Sequence, residues 1–188
     1  MLKQKSSFNS CVVLDIDETL IHTKYTTDKQ DESLKKKSDI SFKINGIYYY
    51  ILVRPNAVSF LKAVFEKFEH VCIWTAAEKL YAKKIISNLF TEKQEASLLE
   101  FWSRKNCVIK DGNYTKPLTK LFNKHKFLNL KNTVLIDNNN LITKLNKNMS
   151  INVPDYTGQK NDKILLKLTP LRTINSEQKL TLYKNKLK

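Results

Sequence analysis

Three short apolar runs constrain the fold of this chain more than any other feature: CVVL at 11–14, VCIW at 71–74 and TVLI at 133–136. Each is too short for a helix and carries no charge, the pattern of a strand buried on both faces of a parallel sheet. Each also runs directly into a residue suited to phosphate or metal chemistry, namely Asp15, Thr75 and Asp137. In open parallel α/β sheets, ligands bind beyond the carboxyl ends of the strands, so these three side chains are expected to share one crevice. A fourth run at 150–153, stopped by Pro154, is expected to add a further strand.

Between the runs the apolar period changes to that of helices. Pro55 suits a first helical turn, and Val58, Leu61, Phe65 and Phe68 follow at helical spacing. Leu80, Lys84, Ile85 and Leu89 outline a second amphipathic helix, a third is expected near 118–122, and a fourth at 164–168 is ended by Pro170. The segment 24–53 differs. After a polar stretch, Ile40, Phe42 and Ile44 alternate, Asn45-Gly46 follows, and a β-prone run fills 47–53. Asn-Gly between two such runs predicts a hairpin, hence an antiparallel ribbon inserted after the first strand. The lysines at 35–37 read as an exposed tip leading into it, and residues 176–188 as a frayed tail.

The 188 residues, 41% of them hydrophobic, suffice for one core and not comfortably for two, so a single domain is expected, with its body at about 9–175. Cys11, Cys72 and Cys107 are odd in number and far apart, which suits buried thiols in a reducing compartment rather than a disulfide framework or a CxxC metal site. No run approaches a membrane span, and MLKQKSSFNS lacks the apolar centre of a signal peptide. A soluble intracellular protein of nucleus or cytoplasm is expected, with no membrane partner. The formal net charge of +15 invites a nucleic-acid reading. Yet only Arg54, Arg104 and Arg172 are arginines, and the lysines are scattered among asparagine and isoleucine as an A/T-rich coding sequence would leave them. Solvated lysine faces are the simpler account, and nucleic acid is not expected as a specific ligand.

The chemistry concentrates in Asp15-Ile16-Asp17-Glu18-Thr19. A carboxylate is ionised at neutral pH and can attack phosphorus without a base to activate it, forming an aspartyl-phosphate. Asp15 fits that task. A second carboxylate beside it has its pKa raised by the like charge and can hold a proton for the leaving alkoxide, which fits Asp17; the alternative is an Asp that merely caps a turn. Phosphoryl transfer also needs positive charge at the transferring oxygens, and Mg²⁺ takes hard oxygen ligands. Asp137 and Asn138 could complete such a shell with Asp15, Thr75 could donate to a phosphate oxygen, and Lys116 could supply an ammonium. Taken singly, a Thr that ends a strand or one Lys among many is equally well structural.

The strings VVLDIDETLIHT, Arg54-Pro55, VCIWTAAEKLYA, NCVIKDGNYTKPLTKL and VLIDNNN, in that order, resemble the small phosphatases of the RNA polymerase II C-terminal domain, within the haloacid dehalogenase superfamily. The resemblance implies an α/β Rossmann-like domain with a β-ribbon insertion and no large cap, acting as a Mg²⁺-dependent phosphoserine/phosphothreonine phosphatase. It implies Asp15 as nucleophile and Asp17 as general acid/base and metal ligand through its backbone carbonyl. Thr19, Thr75 and Lys116 become phosphate binders, and Asp137 with Asn138 the metal-side pair. Arg104 matches a substrate-contacting position. Tyr25, Phe42 and Ile44 occupy places where this group builds its recognition groove, or else they pack the ribbon. The implied partner is a phosphoprotein such as the C-terminal repeats of RNA polymerase II.

Two departures stand out. Asn139-Asn140 replaces the usual Ser-Pro after the Asp-Asn pair, and Glu78 stands where an apolar residue usually lines the groove. A nucleic-acid end phosphatase of the same superfamily is the enzymatic alternative, and a non-catalytic phosphate-recognising module is the alternative outside enzymes. The intact carboxylate pair argues against the latter.

Overall fold

The computed structural model describes residues 10–28 and 30–169. The chain enters through strand β1 (Cys11–Leu14), turns sharply, and passes into β2 (Ile21–Thr26), helix α1 (Glu32–Lys37), β3 (Ile40–Ile44) and β4 (Ile47–Val53). It continues through α2 (Ala57–Lys67), β5 (His70–Trp74), α3 (Lys79–Leu89), α4 (Glu92–Ala96) and β6 (Glu100–Trp102). The last part holds β7 (Val108–Lys110), β8 (Asn113–Thr115), α5 (Leu118–Lys124), β9 (Thr133–Asp137), α6 (Asn140–Leu145), β10 (Ser150–Asn152) and α7 (Ile164–Leu168).

The three apolar runs are strands as expected, and they lie side by side in a five-stranded sheet of order β10-β9-β1-β5-β6. Every pairing in it is parallel. Successive side chains of a strand point to opposite faces, so β1 feeds two cores. Val12 and Leu14 pack with Phe60, Leu61, Val64, Ile85 and Leu165, whereas Cys11 and Val13 pack with Leu118, Leu121, Leu135 and Ile142. The register is nearly flush: Leu14 lies level with Ile73 and with Ile136. Asp15, Thr75 and Asp137 therefore leave the sheet at almost the same height, and this levelling brings them to one edge.

Leu61, Ile85 and Leu89 lie on the buried helical faces as expected, but not every large residue does. Val58 and Leu80 are exposed, and the buried stripes are Ala57, Phe60, Leu61 and Val64 in α2 and Tyr81, Ala82, Ile85, Ile86 and Leu89 in α3. Ala57 anchors the first stripe although its small side chain hardly registers in an apolar scan. Pro55 precedes α2 rather than starting it, because Asn56 adopts a left-handed cap conformation. Pro170, Arg172 and residues 176–188 lie outside the described residues.

The ribbon is larger than the hairpin alone. Asn45 and Gly46 both take positive φ, 48° and 85°, the turn that an Asn-Gly hairpin requires. A third strand joins them in the order β2-β4-β3. The lysines at 35–37 are exposed as expected, and the stretch is helical: Asp31 caps the backbone amides of Ser33 and Leu34, and the lysines sit at the negative end of α1. Asp31-Glu32 followed by Lys35-Lys36-Lys37 is the local signal for this helix.

Candidate active site

β1 ends in a tight turn in which the Ile16 carbonyl accepts from the amide of Leu20 at 2.8 Å, with Glu18 at φ 54°. The turn folds the polar segment 15–19 back over the sheet edge. The Asp15 amide is tied to the Ile136 carbonyl at 3.0 Å, so this carboxylate is held by the sheet itself. It is buried, as are Thr19, Thr75, Lys116 and Asp137.

Lys116 organises the floor of the site. Its Nζ lies 2.5 Å from Asp15 Oδ1 and 2.7 Å from Asp137 Oδ2, bridging carboxylates contributed by two adjacent strands. A lone ammonium in such a place would deprotonate, but two carboxylates outweigh burial and hold its pKa above the ordinary lysine value. Burial, followed by the charge of Asp15, pushes the Asp137 carboxyl up to about 6 despite Lys116. Asn146 positions this lysine: its side chain donates to the Lys116 carbonyl at 3.0 Å and accepts from the Leu118 amide at 3.1 Å.

Thr19 links the two loops. Its hydroxyl has one proton and two acceptors at 3.1 Å, Asp15 Oδ2 and Asn138 Oδ1, while the Asn138 amide donates back to it at 3.2 Å. Asn138 also donates to Asp155 at 2.8 Å. The Asn139-Asn140 departure leaves this loop ordered by other means. The Asn139 amide holds Asp137 Oδ1 at 2.8 Å, and its side chain caps α6 through the Leu141 amide.

Asp17 faces the other way. Tyr81 donates to its Oδ1 at 2.6 Å, and Thr75 approaches Oδ2 at 3.5 Å while accepting from the Ala77 amide at 3.0 Å. Burial first, and the neighbouring Asp15 charge second, push the Asp17 carboxyl up to about 6. Beyond it opens a cavity of about 360 Å³ lined by Asp17, Glu18, Thr23, Tyr25, Tyr49, Ala76, Ala77, Glu78, Tyr81 and Arg104. Arg104 donates to the Ala76 carbonyl at 2.7 Å and to Glu78 at 2.8 Å, so it sits at the groove already partnered.

Residues 10–181 match the family model described as NLI interacting factor-like phosphatase. The chain belongs to that family. It is 30% identical over 162 residues, 85% of its length, to a Dictyostelium discoideum protein named "Probable C-terminal domain small phosphatase", of which that match covers 48%. It is likewise 30% identical over 145 residues, 72% of its length, to the human "Carboxy-terminal domain RNA polymerase II polypeptide A small phosphatase 1", again covering 48% of that protein. The chain thus spans about half the length of these relatives. Among solved structures, that of Fcp1, titled an essential RNA polymerase II CTD phosphatase, overlays with TM-score 0.59 at 20% identity, covering 95% of this chain and 49% of that one. This likeness bears out the α/β fold with its central parallel sheet flanked by helices.

Within this family frame the structure sorts the sequence candidates. Asp15, Asp17, Thr19, Thr75, Lys116, Asp137 and Asn138 converge, and Tyr25 and Arg104 line the adjoining groove. Phe42 and Ile44 do not line it. Both turn toward the core, and Phe42 stacks on Tyr49 at 5.4 Å, because the face of the ribbon that carries them is the one laid against α3. Tyr49 and Tyr81 take their place in the wall. Tyr81 had a signal in the sequence, since it lies one helical turn after Glu78. Tyr49, in a run of three tyrosines, was not distinguishable from its neighbours without the register.

The donors near Asp15 that suit a metal are all oxygens: the carboxylates of Asp15 and Asp137 and the side-chain carbonyl of Asn138. Among the described residues no three His, Cys, Asp or Glu side chains form a metal cluster. Two carboxylates and an amide oxygen fit a hard ion that keeps several waters, as Mg²⁺ does, and not a thiolate or imidazole metal. Among the described residues no helix is long and apolar enough to cross a membrane.

Proposed function

We propose that this domain hydrolyses phosphoserine or phosphothreonine in proteins, with Asp15 as nucleophile and Asp17 as general acid and then base. The observation that carries this reading is the pair of unlike carboxylates at the end of β1. Asp15 is held against an ammonium, whereas Asp17 is turned away from it with a raised pKa. A carboxylate paired with an ammonium is placed to attack, and a carboxyl with a raised pKa can hold the proton that a leaving alkoxide needs.

In the first half-reaction an Asp15 carboxylate oxygen forms a bond to phosphorus as the bond from phosphorus to the serine oxygen breaks. Asp17 gives that oxygen its proton. In the second, Asp17 takes a proton from a water that attacks the aspartyl-phosphate, which releases inorganic phosphate and restores Asp15. Lys116 offsets the charge gathering at the phosphoryl oxygens, and the Thr75 hydroxyl orients them. Asp15, Asp137 and Asn138, with the Asp17 backbone carbonyl, would hold Mg²⁺, whose contribution when bound is charge neutralisation at the phosphoryl group.

The groove beside Asp17 is open and walled by Tyr25, Tyr49 and Tyr81, so an extended peptide can reach the site. The names of the relatives make RNA polymerase II C-terminal-like repeats the first substrate to test. Wild type should turn over a phosphoserine peptide, lose turnover in EDTA and recover with Mg²⁺. Asp15→Asn should leave no acid-stable labelled phosphoenzyme. Full activity in chelator, or normal turnover by Asp15→Asn, would overturn the mechanism.

A further inference from the structure

Tyr81 belongs to two systems that phosphatase chemistry leaves separate. Its ring walls the groove and packs on Tyr49 at 5.2 Å and Phe42 at 6.1 Å, both residues of the ribbon. Its hydroxyl is buried against the carboxylate loop, 2.6 Å from Asp17 Oδ1 and 2.6 Å from the Thr23 hydroxyl on β2. A tyrosine hydroxyl has a single proton. With that proton donated in the hydrogen bond to Asp17 Oδ1, the hydroxyl of Thr23 must be the donor to Tyr81, which gives an ordered chain from Thr23 through Tyr81 to Asp17 Oδ1.

The chain decides where Asp17 can carry a proton. Oδ1 is engaged as an acceptor at short range, whereas Oδ2 has only the long 3.5 Å approach from Thr75 at the end of β5. A proton added to Asp17 therefore goes on Oδ2, the oxygen turned toward Thr75. An unheld carboxyl would rotate about its terminal torsion and present that proton in the useful direction only part of the time. We propose that Tyr81, backed by Thr23, is a positioning residue that locks the Asp17 carboxyl with Oδ2 as its proton-bearing oxygen, and so ties leaving-group protonation to the ribbon that walls the groove. The inference rests on the assignment of Asp17 as general acid. It adds a residue that touches neither the nucleophile nor its lysine.

A residue that positions the acid matters in proportion to how much the leaving group needs a proton. The test is kcat/KM, which reports the steps through phosphoenzyme formation, over a series of aryl phosphates of similar size whose leaving phenols range from strongly acidic to weakly acidic. Tyr81→Phe, which removes only the hydroxyl, should fall about tenfold or more at the weakly acidic end, as expected for impaired general acid catalysis, and change less than about twofold at the strongly acidic end. Thr23→Val, which leaves the ring and the core untouched, should steepen the same dependence by a smaller amount. A uniform loss across the series in both variants, or no loss in either, would overturn the positioning role while leaving a phosphatase. Absence of turnover by the wild type on every member, with Mg²⁺ present, would overturn the phosphatase reading and this inference with it.

Discussion

Asp15 and Asp17 differ in chemistry because of what surrounds them, although only Ile16 separates them in the chain. Asp15 leaves the sheet level with Asp137 and shares Lys116 with it, whereas Asp17 is turned to Tyr81 and Thr75. Burial and the adjacent Asp15 charge hold Asp17 at about 6, so it carries its proton below that value and loses it above. For a phosphoserine peptide, whose alkoxide must be protonated as it leaves, kcat/KM is expected to fall as pH rises through about 6. For an aryl phosphate with a strongly acidic phenol the same limb should be nearly flat, because that leaving group needs no proton. Parallel pH profiles of the two substrates check this. The carboxylate pair was legible in the chain because it follows a buried strand immediately. The choice of Lys116 among so many lysines rested on the resemblance. Its physical ground, an ammonium buried between two carboxylates, is visible only once β1 and β9 are neighbours.

Among the elements, the junction between β4 and α2 carries a residue whose importance neither composition nor periodicity announces. The Arg54 guanidinium is fully buried and donates to both oxygens of Asp162 at 2.9–3.0 Å, to the Pro154 carbonyl at 3.0 Å and to the Thr19 carbonyl at 3.1 Å. It thereby ties the 15–19 turn, the exit of β10 and the entry to α7 together. Lysine keeps the charge but cannot span this fork. Arg54→Lys is expected to cost about 3–5 kcal/mol in urea denaturation near neutral pH, the range for breaking a buried pair. Burial alone would raise the Asp162 pKa, but the bonds from Arg54 prevail and lower it. Such a carboxylate contributes stability above its unfolded pKa, about 3.9, and that contribution is lost as pH falls through the lower folded value. The gap between wild type and variant should accordingly narrow below about pH 4. Arg54-Pro55 stood out in the sequence only as part of the resemblance. Its bonding to Asp162 needs segments more than a hundred residues apart to meet.

Taken whole, the molecule carries +15 in formal charge, yet its groove is walled by Asp17, Glu18 and Glu78 with Arg104 as the one opposing cation among the lining residues. A polyanion attracted to the lysine-rich surface would meet the carboxylates of the groove, whereas a phosphopeptide brings only a single phosphate to it. Binding to single- or double-stranded DNA should therefore be weak and should vanish as salt approaches physiological strength, measured by fluorescence anisotropy over a salt titration. Salt-resistant binding to one nucleic-acid form would favour an end phosphatase instead. The buried parallel strands, the chemistry-bearing residues at their ends and the Asn-Gly hairpin were all readable beforehand. They rest on short-range patterns: a period of two, an uninterrupted apolar run, a turn that needs positive φ. The third ribbon strand, the face that Phe42 turns to the core, the Tyr81 link to Asp17 and the lysine shared by two carboxylates came only from tertiary structure. Each depends on which distant segments become neighbours and at what register, and no local period encodes that.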